Sequence, residues 1–277
     1  DKLKRGTKLF VIFNDYDLNI GDSVKCEARL QSVDDEYKNL YYGEGIYLRA
    51  SIEDFERIDK MTSFCDLETA FFKALREILP EKREKILVVG LGNTEITCDA
   101  VGPKVAKNIL ATRHIAGEFA KKIGLSSLKS VAVIAPNVLG KTGIEVSEIL
   151  ESAVKIVNPD FVIAVDALCS KSTNRLFSSF QLCNNGISPG SGVKNSRKEL
   201  SQKTLGVPVI AVGVPTVVDA ATIALELTGK EPETDFSMIV TPKDSDLLIE
   251  KVSEFLARSL NVFLQPETER EVILSLV

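Results

Sequence analysis

Two aspartates stand where short apolar segments end, and they are the residues of this sequence best placed for chemistry. Asp166 directly follows the apolar segment 161–165, and Asp99 lies a few residues beyond the apolar segment 86–89. A carboxylate at the mouth of a buried strand loses hydration, which is costly unless something binds it. When two carboxyl groups share a site, the charge of one raises the pKa of the other, so the pair can hold one proton. Such a pair can activate water and protonate a leaving amine.

Other interpretations of the same two residues stay open. Two carboxylates could instead hold a divalent metal ion through their oxygens, so no cofactor is expected except a divalent metal at Asp99 and Asp166. Asp99 also stands shortly before Pro103. Asp is a good N-cap and Pro suits the first turn of a helix, so Asp99 could simply begin the helix that follows.

A glycine-rich turn follows the first of these apolar segments. Gly90 and Gly92 are two-thirds of a dinucleotide-binding fingerprint, but Glu95 stands at the third glycine position. A carboxylate there would face a pyrophosphate, which argues against nucleotide binding. The glycines equally allow a tight turn at the end of a strand. We assign Gly92 and Asn93, in this turn, to substrate or oxyanion binding.

A second glycine-rich segment spans residues 187–195 and includes Gly190, Ser191 and Gly192. Its main-chain amides could form a nest for a peptide carbonyl or for a developing oxyanion. An ordinary surface loop would have the same composition. Glu145, at the start of a predicted helix, is expected either to support the site or to favour the positive end of that helix.

Several polar residues are better explained by structure than by catalysis. His114 is the only histidine, which excludes a His-rich zinc site, and a Ser-His-Asp triad would have to use it. Cys98 and Cys169 have no evident adjacent base, so packing explains them better than nucleophilic catalysis. Thr216 is expected to cap a helix, and Asp219 to lie near its N-terminus.

The elements that must position the aspartates alternate along the chain. Short apolar segments predict strands at 86–89, 131–135, 161–165, 180–182, 207–212 and 237–240, and amphipathic segments predict helices near 100–115, 143–157, 217–228 and 243–264. This order predicts an α/β fold with a mainly parallel sheet and helices on both faces, in three layers. In such folds the site lies beyond the carboxyl ends of the strands.

The N-terminal part has a different amino-acid composition. All five tyrosines lie in residues 1–47, and the first proline is Pro80. Segments 9–13, 24–30 and 46–48 predict strands, and apolar residues at helical spacing predict a helix over 67–78. We therefore divide the chain into a small α+β part at 1–80, packed on the core or part of the same domain, and an α/β catalytic core at 81–277.

The composition of the chain argues against two classes of binding partner, nucleic acid and membrane. The net charge is −5, and nucleic-acid affinity comes mostly from Lys and Arg, so no direct nucleic-acid binding is expected. No apolar run reaches the about 20 residues of a membrane helix, so no membrane partner is expected. The five widely spaced cysteines indicate free thiols in a reducing cytoplasm.

Nine short motifs carry a resemblance to a known family. They are VVGLGN at 88–93, DAVGP at 99–103, TRH at 112–114, TGIE at 142–145, PDFVIAVDAL at 159–168, PGSGV at 189–193, RKELS at 197–201, GVPTVVDA at 213–220 and MIVTPK at 238–243. In order and spacing, over residues of about 85–265, they resemble the germination protease (spore protease) family of spore-forming bacteria.

The resemblance implies an atypical aspartate-dependent endopeptidase whose fold is related to that of hydrogenase maturation proteases. The two essential aspartates of the family fall on Asp99 and Asp166. The implied substrates are small acid-soluble spore proteins, degraded during germination in the cytoplasm of the spore core. Family members assemble as homotetramers and are made as zymogens; whether this chain is a zymogen stays open.

Two alternatives remain. One is a maturation protease of the hydrogenase type, which cuts a metalloprotein precursor. The other is a non-catalytic protein that kept the fold and binds a partner or a nucleotide. The presence of both Asp99 and Asp166 argues against the second alternative.

Overall fold

The computed structural model describes residues 10–11, 23–31, 40–49, 66–115, 120, 122, 125, 127–190, 197–230 and 238–277. The strands among them are β1 Phe10–Val11, β2 Ser23–Gln31, β3 Leu40–Arg49, β4 Lys85–Gly90, β5 Ser130–Ile134, β6 Phe161–Ser170, β7 Ser179–Cys183, β8 Val209–Asp219 and β9 Ile239–Val240. All belong to one sheet in the order β1-β2-β3-β7-β8-β6-β4-β5, with β9 beside β8.

The centre of the sheet is parallel. Strands β5, β4, β6 and β8 run in one direction, and each is paired with the next. The strands β7, β3, β2 and β1 extend the sheet from β8 in antiparallel fashion. Because the parallel strands end on the same side, the segments that follow β4, β6 and β8 meet at one edge of the sheet.

Helices cover both faces of this sheet. They are α1 Asp66–Ile78, α2 Val101–Lys107, α3 Leu139–Thr142, α4 Val146–Val157, α5 Gln202–Leu205, α6 Ala220–Thr228, α7 Ser245–Leu264 and α8 Arg270–Ser275. Alternate residues of β6 point to opposite faces. Ile163 and Val165 pack in the cluster that contains α1, α2 and α7, whereas Val162 and Ala164 pack in the cluster that contains α4. The predicted α/β fold with a mainly parallel sheet and helices on both faces is confirmed.

The N-terminal elements are joined to this sheet. Strand β3 pairs with β7 over five residues on each side. In α1, the ring of Phe71 lies 5.9 Å from that of Phe180 in β7 and 6.1 Å from that of Phe255 in α7, measured between ring centroids. The division of the chain at residue 80 stays a prediction.

Several boundaries differ from those predicted, and three of them bear on the site. Strands β6 and β8 continue past the apolar segments that marked them, to Ser170 and Asp219, because their ends pair with each other. The predicted helix at 100–115 ends at Lys107. Beyond it, the amides of Thr112 and Arg113 both donate to the carbonyl of Val131, which draws the chain away from a helical path.

No helix in the described part of the chain is long and apolar enough to cross a lipid bilayer.

Candidate active site

Asp99 is held by the turn that follows β4. The main-chain amide of Asn93 donates to Oδ2 of Asp99 at 2.8 Å and to its carbonyl at 3.2 Å. The side chain of Asn93 in turn accepts from the amide of Glu95 at 3.0 Å. The N-cap of α2 is Ala100, so the prediction that Asp99 caps this helix is wrong. Asp99 instead ends a 3-10 turn, Thr97–Asp99, and its carboxylate accepts from the turn before it.

Two glycines let these segments lie against one another. Gly92 has φ +118°, and a Cβ there would lie 2.0 Å from the carbonyl oxygen of Asp99. A Cβ at Gly102, in α2, would lie 2.2 Å from the carbonyl oxygen of Leu91 and 2.4 Å from that of Val165. Real Cβ atoms do not approach main-chain oxygens so closely, so both positions require glycine. Gly92 was singled out from the sequence; Gly102 was not.

Asp166 lies inside β6 and not after it. It pairs in register with Gly213 of β8 and is 6% exposed. Oδ1 accepts a hydrogen bond from the amide of Ala167 at 2.9 Å. The strand therefore carries a carboxyl group into the protein, beside the point where β4 has ended at Gly90.

The two aspartates are close enough to influence each other's protonation. Burial, and next the negative charge of Asp99, raise the pKa of Asp166 to about 8. Burial also raises the pKa of Asp99, while the hydrogen bond from Asn93 opposes that rise. Each carboxyl group accepts one main-chain hydrogen bond, from Asn93 or from Ala167, so what distinguishes them is the deeper burial of Asp166. A negative charge on Asp99 therefore favours the protonated form of Asp166 near neutral pH.

A threonine ties the turn of Asp99 to the sheet. Oγ1 of Thr216, a fully buried residue of β8, donates to the carbonyl of Cys98 at 2.6 Å. Thr241 donates to the carbonyl of Thr216 at 2.8 Å. The prediction that Thr216 caps a helix is wrong, because β8 runs on to Asp219. Asp219 is the N-cap of α6, and its carboxylate accepts from the amide of Ala221 at 2.8 Å. In the sequence, Thr216 is a polar residue within an otherwise apolar segment, and that contrast indicates a buried side chain with a hydrogen-bond partner.

A family model described as germination protease matches residues 30–228. The chain belongs to the germination protease family. The germination protease of Caldanaerobacter subterraneus subsp. tengcongensis is 42% identical over 247 residues, which cover 75% of this chain and 76% of that protein. The germination protease of Clostridium acetobutylicum is 39% identical over 251 residues, which cover 78% of this chain and 75% of that protein.

Among solved structures, the NiFe hydrogenase maturation protease HycI from Thermococcus kodakarensis matches at 16% identity with a TM-score of 0.37. The match covers 65% of this chain and 94% of HycI.

Family membership confirms the function predicted from the motifs. The chain is an endopeptidase, a hydrolase that acts in spore germination, and its relatives with that name cover about three-quarters of it.

Gly190 and Glu145, also predicted for the site, make contacts of their own in the described part of the chain. Gly190 has φ +71°, and the carbonyl of the preceding Pro189 accepts from the amide of Arg197 at 3.2 Å. Ser191 and Gly192 lie outside the described residues. Glu145 forms a capping box with Glu148 at the start of α4, and its Oε1 lies 3.4 Å from Nη1 of Arg197. The roles predicted for Gly190 and Glu145 stay predictions.

Among the described residues, Cys98, Cys169 and His114 show no arrangement suited to nucleophilic catalysis. Burial, above all, raises the pKa of both the Cys98 and the Cys169 thiol, so each is held in its protonated, weakly nucleophilic form. His114 is exposed in a turn that follows α2 and not at the end of that helix. Within the part of the chain that is described, no three His, Cys, Asp or Glu side chains cluster in a way that could hold a metal ion.

Proposed function

We propose that Asp99 and Asp166 form the catalytic pair of an aspartic-type endopeptidase that acts on water. The observation that carries the proposal is their electrostatic coupling: a buried carboxyl group on β6 has its pKa raised by the charge of a carboxylate from the turn after β4. No part of the fold requires that coupling, since a buried apolar residue at position 166 would continue the strand without a desolvation cost.

The protonation states assign a role to each carboxyl group. Asp99, the anion, accepts a proton from water as the water oxygen bonds to the carbonyl carbon of the substrate. Asp166, the acid, donates its proton to the amide nitrogen as the carbon–nitrogen bond breaks. The proton that Asp99 has gained then returns to Asp166 through solvent, which restores the starting state. A general acid and a general base of this kind each contribute about 10²- to 10⁴-fold to a rate.

The surrounding turn supplies substrate contacts in this proposal. Gly92 and Asn93 bring the main chain to the aspartates at close range, and the amides around Gly190, with Ser191 and Gly192, hold the substrate carbonyl or the developing oxyanion. Glu145 supports the segment that contains Gly190 through its ion pair with Arg197.

The proposed substrates are small acid-soluble spore proteins, which the resemblance to the germination protease family implies. The same resemblance implies a homotetramer in the spore-core cytoplasm. We propose no direct contact with nucleic acid, because the chain is acidic overall, with a net charge of −5.

The experiment is cleavage of a purified small acid-soluble spore protein by the wild type, by Asp99→Asn and by Asp166→Asn, each with and without a chelator. Asp219→Asn is the matched control, because it removes a carboxylate from the same edge of the sheet while an asparagine still caps α6. We expect discrete cuts that both site variants lose by about 100-fold or more and that the control retains.

Three results would change the proposal. Cleavage that a chelator abolishes in the wild type would move the aspartates into a metal site. Equal activity in the wild type and in both site variants would place the catalytic groups elsewhere. No cleavage by folded wild-type protein, under conditions in which a related germination protease cuts, would refute the substrate assignment.

A further inference from the structure

Strand β6 extends beyond the neighbour that lies on one of its sides. Its pairing with β4 ends at Gly90 and Val165, but its pairing with β8 continues to Ser170. Within the described part of the chain, no strand takes the place of β4 beside residues 166–170. The strand therefore has an open edge five residues long, which begins at Asp166.

The main-chain groups that face this edge follow from the hydrogen bonds of the strand. The carbonyl of Val165 accepts from the amide of Leu91, so the main chain of Val165 faces the β4 side. The amide of Val162 donates to the carbonyl of Pro208, so even-numbered residues face the β8 side. The register of β6 with β8 shifts between Leu168 and Cys169, but the extra residue, Thr216, belongs to β8. The alternation along β6 therefore continues, and the main chains of Ala167 and Cys169 face the open edge.

The carboxyl group of Asp166 lies at the same edge. Its Oδ1 accepts from the amide of Ala167 at 2.9 Å, and that amide faces the β4 side. The carbonyl of Ala167 and the amide and carbonyl of Cys169 are left on this side without a neighbouring strand. The side chains of Ala167, Leu168 and Cys169 are only partly buried, so this stretch is accessible.

We propose that the substrate binds as an added strand along residues 166–170 of β6, in the position that a longer β4 would occupy. An extended polypeptide supplies the alternating amides and carbonyls that complete the open edge, and strand addition of this kind gives main-chain recognition with little dependence on sequence. The substrate class is thus an unfolded segment in extended conformation. This inference rests on the proposed function, because it places the main chain of the substrate beside Asp166.

The position of the open edge of β6 also determines where the peptide bond to be cut lies relative to the two aspartates. A strand bound beside Ala167 and Cys169 passes the end of β4, where Gly92 and Asn93 hold Asp99. Its main chain therefore lies between the two carboxyl groups, with Asp166 on β6 and Asp99 on the turn. A helical substrate has its amides and carbonyls bonded internally and cannot complete the edge.

The test is an N-methyl scan of a peptide substrate. The cleavage site in a small acid-soluble spore protein is mapped first, and a peptide of about a dozen residues that spans it is made, which leaves room on both sides of the five-residue edge. Each amide other than that of the cut bond is then methylated in turn. A methyl group removes a donor and adds bulk on the side that faces β6, but it is tolerated where the amide faces solvent.

We expect kcat/KM to fall about 10-fold or more at alternate positions on one side of the cut and to change less than about 2-fold at the positions between them, because a strand pairs through every second residue. Equal tolerance at all positions, or a loss without a period of two, would overturn the inference. A parent peptide that the wild type cuts and both aspartate variants leave intact keeps this test separate from that of the catalytic pair. If the variants also cut it, the proposed function fails while the scan still reports how the peptide binds.

Discussion

The hydroxyl of Thr216 in β8 donates a 2.6 Å hydrogen bond to the carbonyl of Cys98, the residue before Asp99. Thr216 is fully buried, so this bond fixes the turn of Asp99 to the sheet that carries Asp166. Neither Thr216 nor Cys98 bears a charge on its bonding group, yet their bond holds the turn of Asp99 in place relative to the carboxyl group of Asp166.

Thr216→Val should weaken both folding and catalysis. The substitution keeps the side-chain shape but leaves the Cys98 carbonyl buried without its donor, which costs about 1–3 kcal/mol. Thr216→Ser is the matched control, because it retains the hydroxyl. We expect kcat of the valine variant to fall at least about 10-fold with a displaced pH profile, since a 1.4 kcal/mol change in transition-state stabilisation is tenfold in rate. A valine variant with a wild-type pH profile would show that the bond serves folding alone.

The rate should fall as the pH rises through about 8. Asp166 acts as the acid, and its pKa is raised to about 8 by burial and by the charge of Asp99. Above that pH each further unit removes the proton from about nine-tenths of the remaining active molecules. The measurement is kcat/KM against pH on a peptide whose own groups do not titrate in this range. A rate that is constant to about pH 10 would contradict the role given to Asp166.

The stability of the fold should depend on pH through the same residue. The folded pKa of Asp166 is raised, so below its unfolded value of about 4 the carboxyl is protonated in both states. As the pH rises from there toward about 8, the unfolded state ionises and the folded state does not, so the wild type loses stability. Asp166→Asn removes this dependence. We expect urea unfolding to show that the free energy of unfolding of Asp166→Asn rises relative to that of the wild type between about pH 5 and pH 8. A difference in this free energy that does not change with pH would refute the raised pKa.

Gly92→Ala should be far more damaging than an alanine at another glycine with positive φ. A Cβ at Gly92 would lie 2.0 Å from the carbonyl oxygen of Asp99, whereas a Cβ at Gly143, where φ is +70°, meets nothing within 4 Å. Gly143→Ala thus carries only the strain of the left-handed conformation, about 1 kcal/mol. We expect thermal melts to show at least twice that loss for Gly92→Ala, and cleavage to fall about 100-fold or more because the carbonyl that must move belongs to Asp99. Equal losses in the two variants would show that the contact relaxes freely.

Glu68 in α1 and Arg270 in α8 form an ion pair, and the loss of either residue alone should destabilise the fold more than the loss of both. Nη1 of Arg270 lies 2.9 Å from Oε1 of Glu68, and the side chains are 8% and 2% exposed. Removing one partner, as in Arg270→Met, leaves a buried charge and should cost about 3–5 kcal/mol. Glu68→Leu combined with Arg270→Met should recover most of that loss, because neither charge then remains. Chemical denaturation of the two single variants and the double variant gives the coupling energy; additive losses would contradict it.

The sequence by itself determined the order of the central strands and helices and the two aspartates. Apolar segments such as 161–165 could be identified because strands covered on both faces are continuously apolar. Asp166 was conspicuous because a carboxylate is costly at the end of such a segment. Family membership followed from motifs spread along the chain, which no single segment could have shown.

How these parts meet depends on contacts between distant residues. Strands β6 and β8 continue past their apolar segments because their ends pair with each other, which their own composition does not indicate. The local sequence predicts Thr216 to be a helix cap, because a threonine shortly before a helix has the same neighbours whether it caps that helix or lies in the strand before it. Its real partner, the carbonyl of Cys98, is distant in the sequence. Hydrogen bonds between distant residues, and the open edge that β4 leaves beside Asp166, depend on the folded path of the chain, so local patterns cannot specify them.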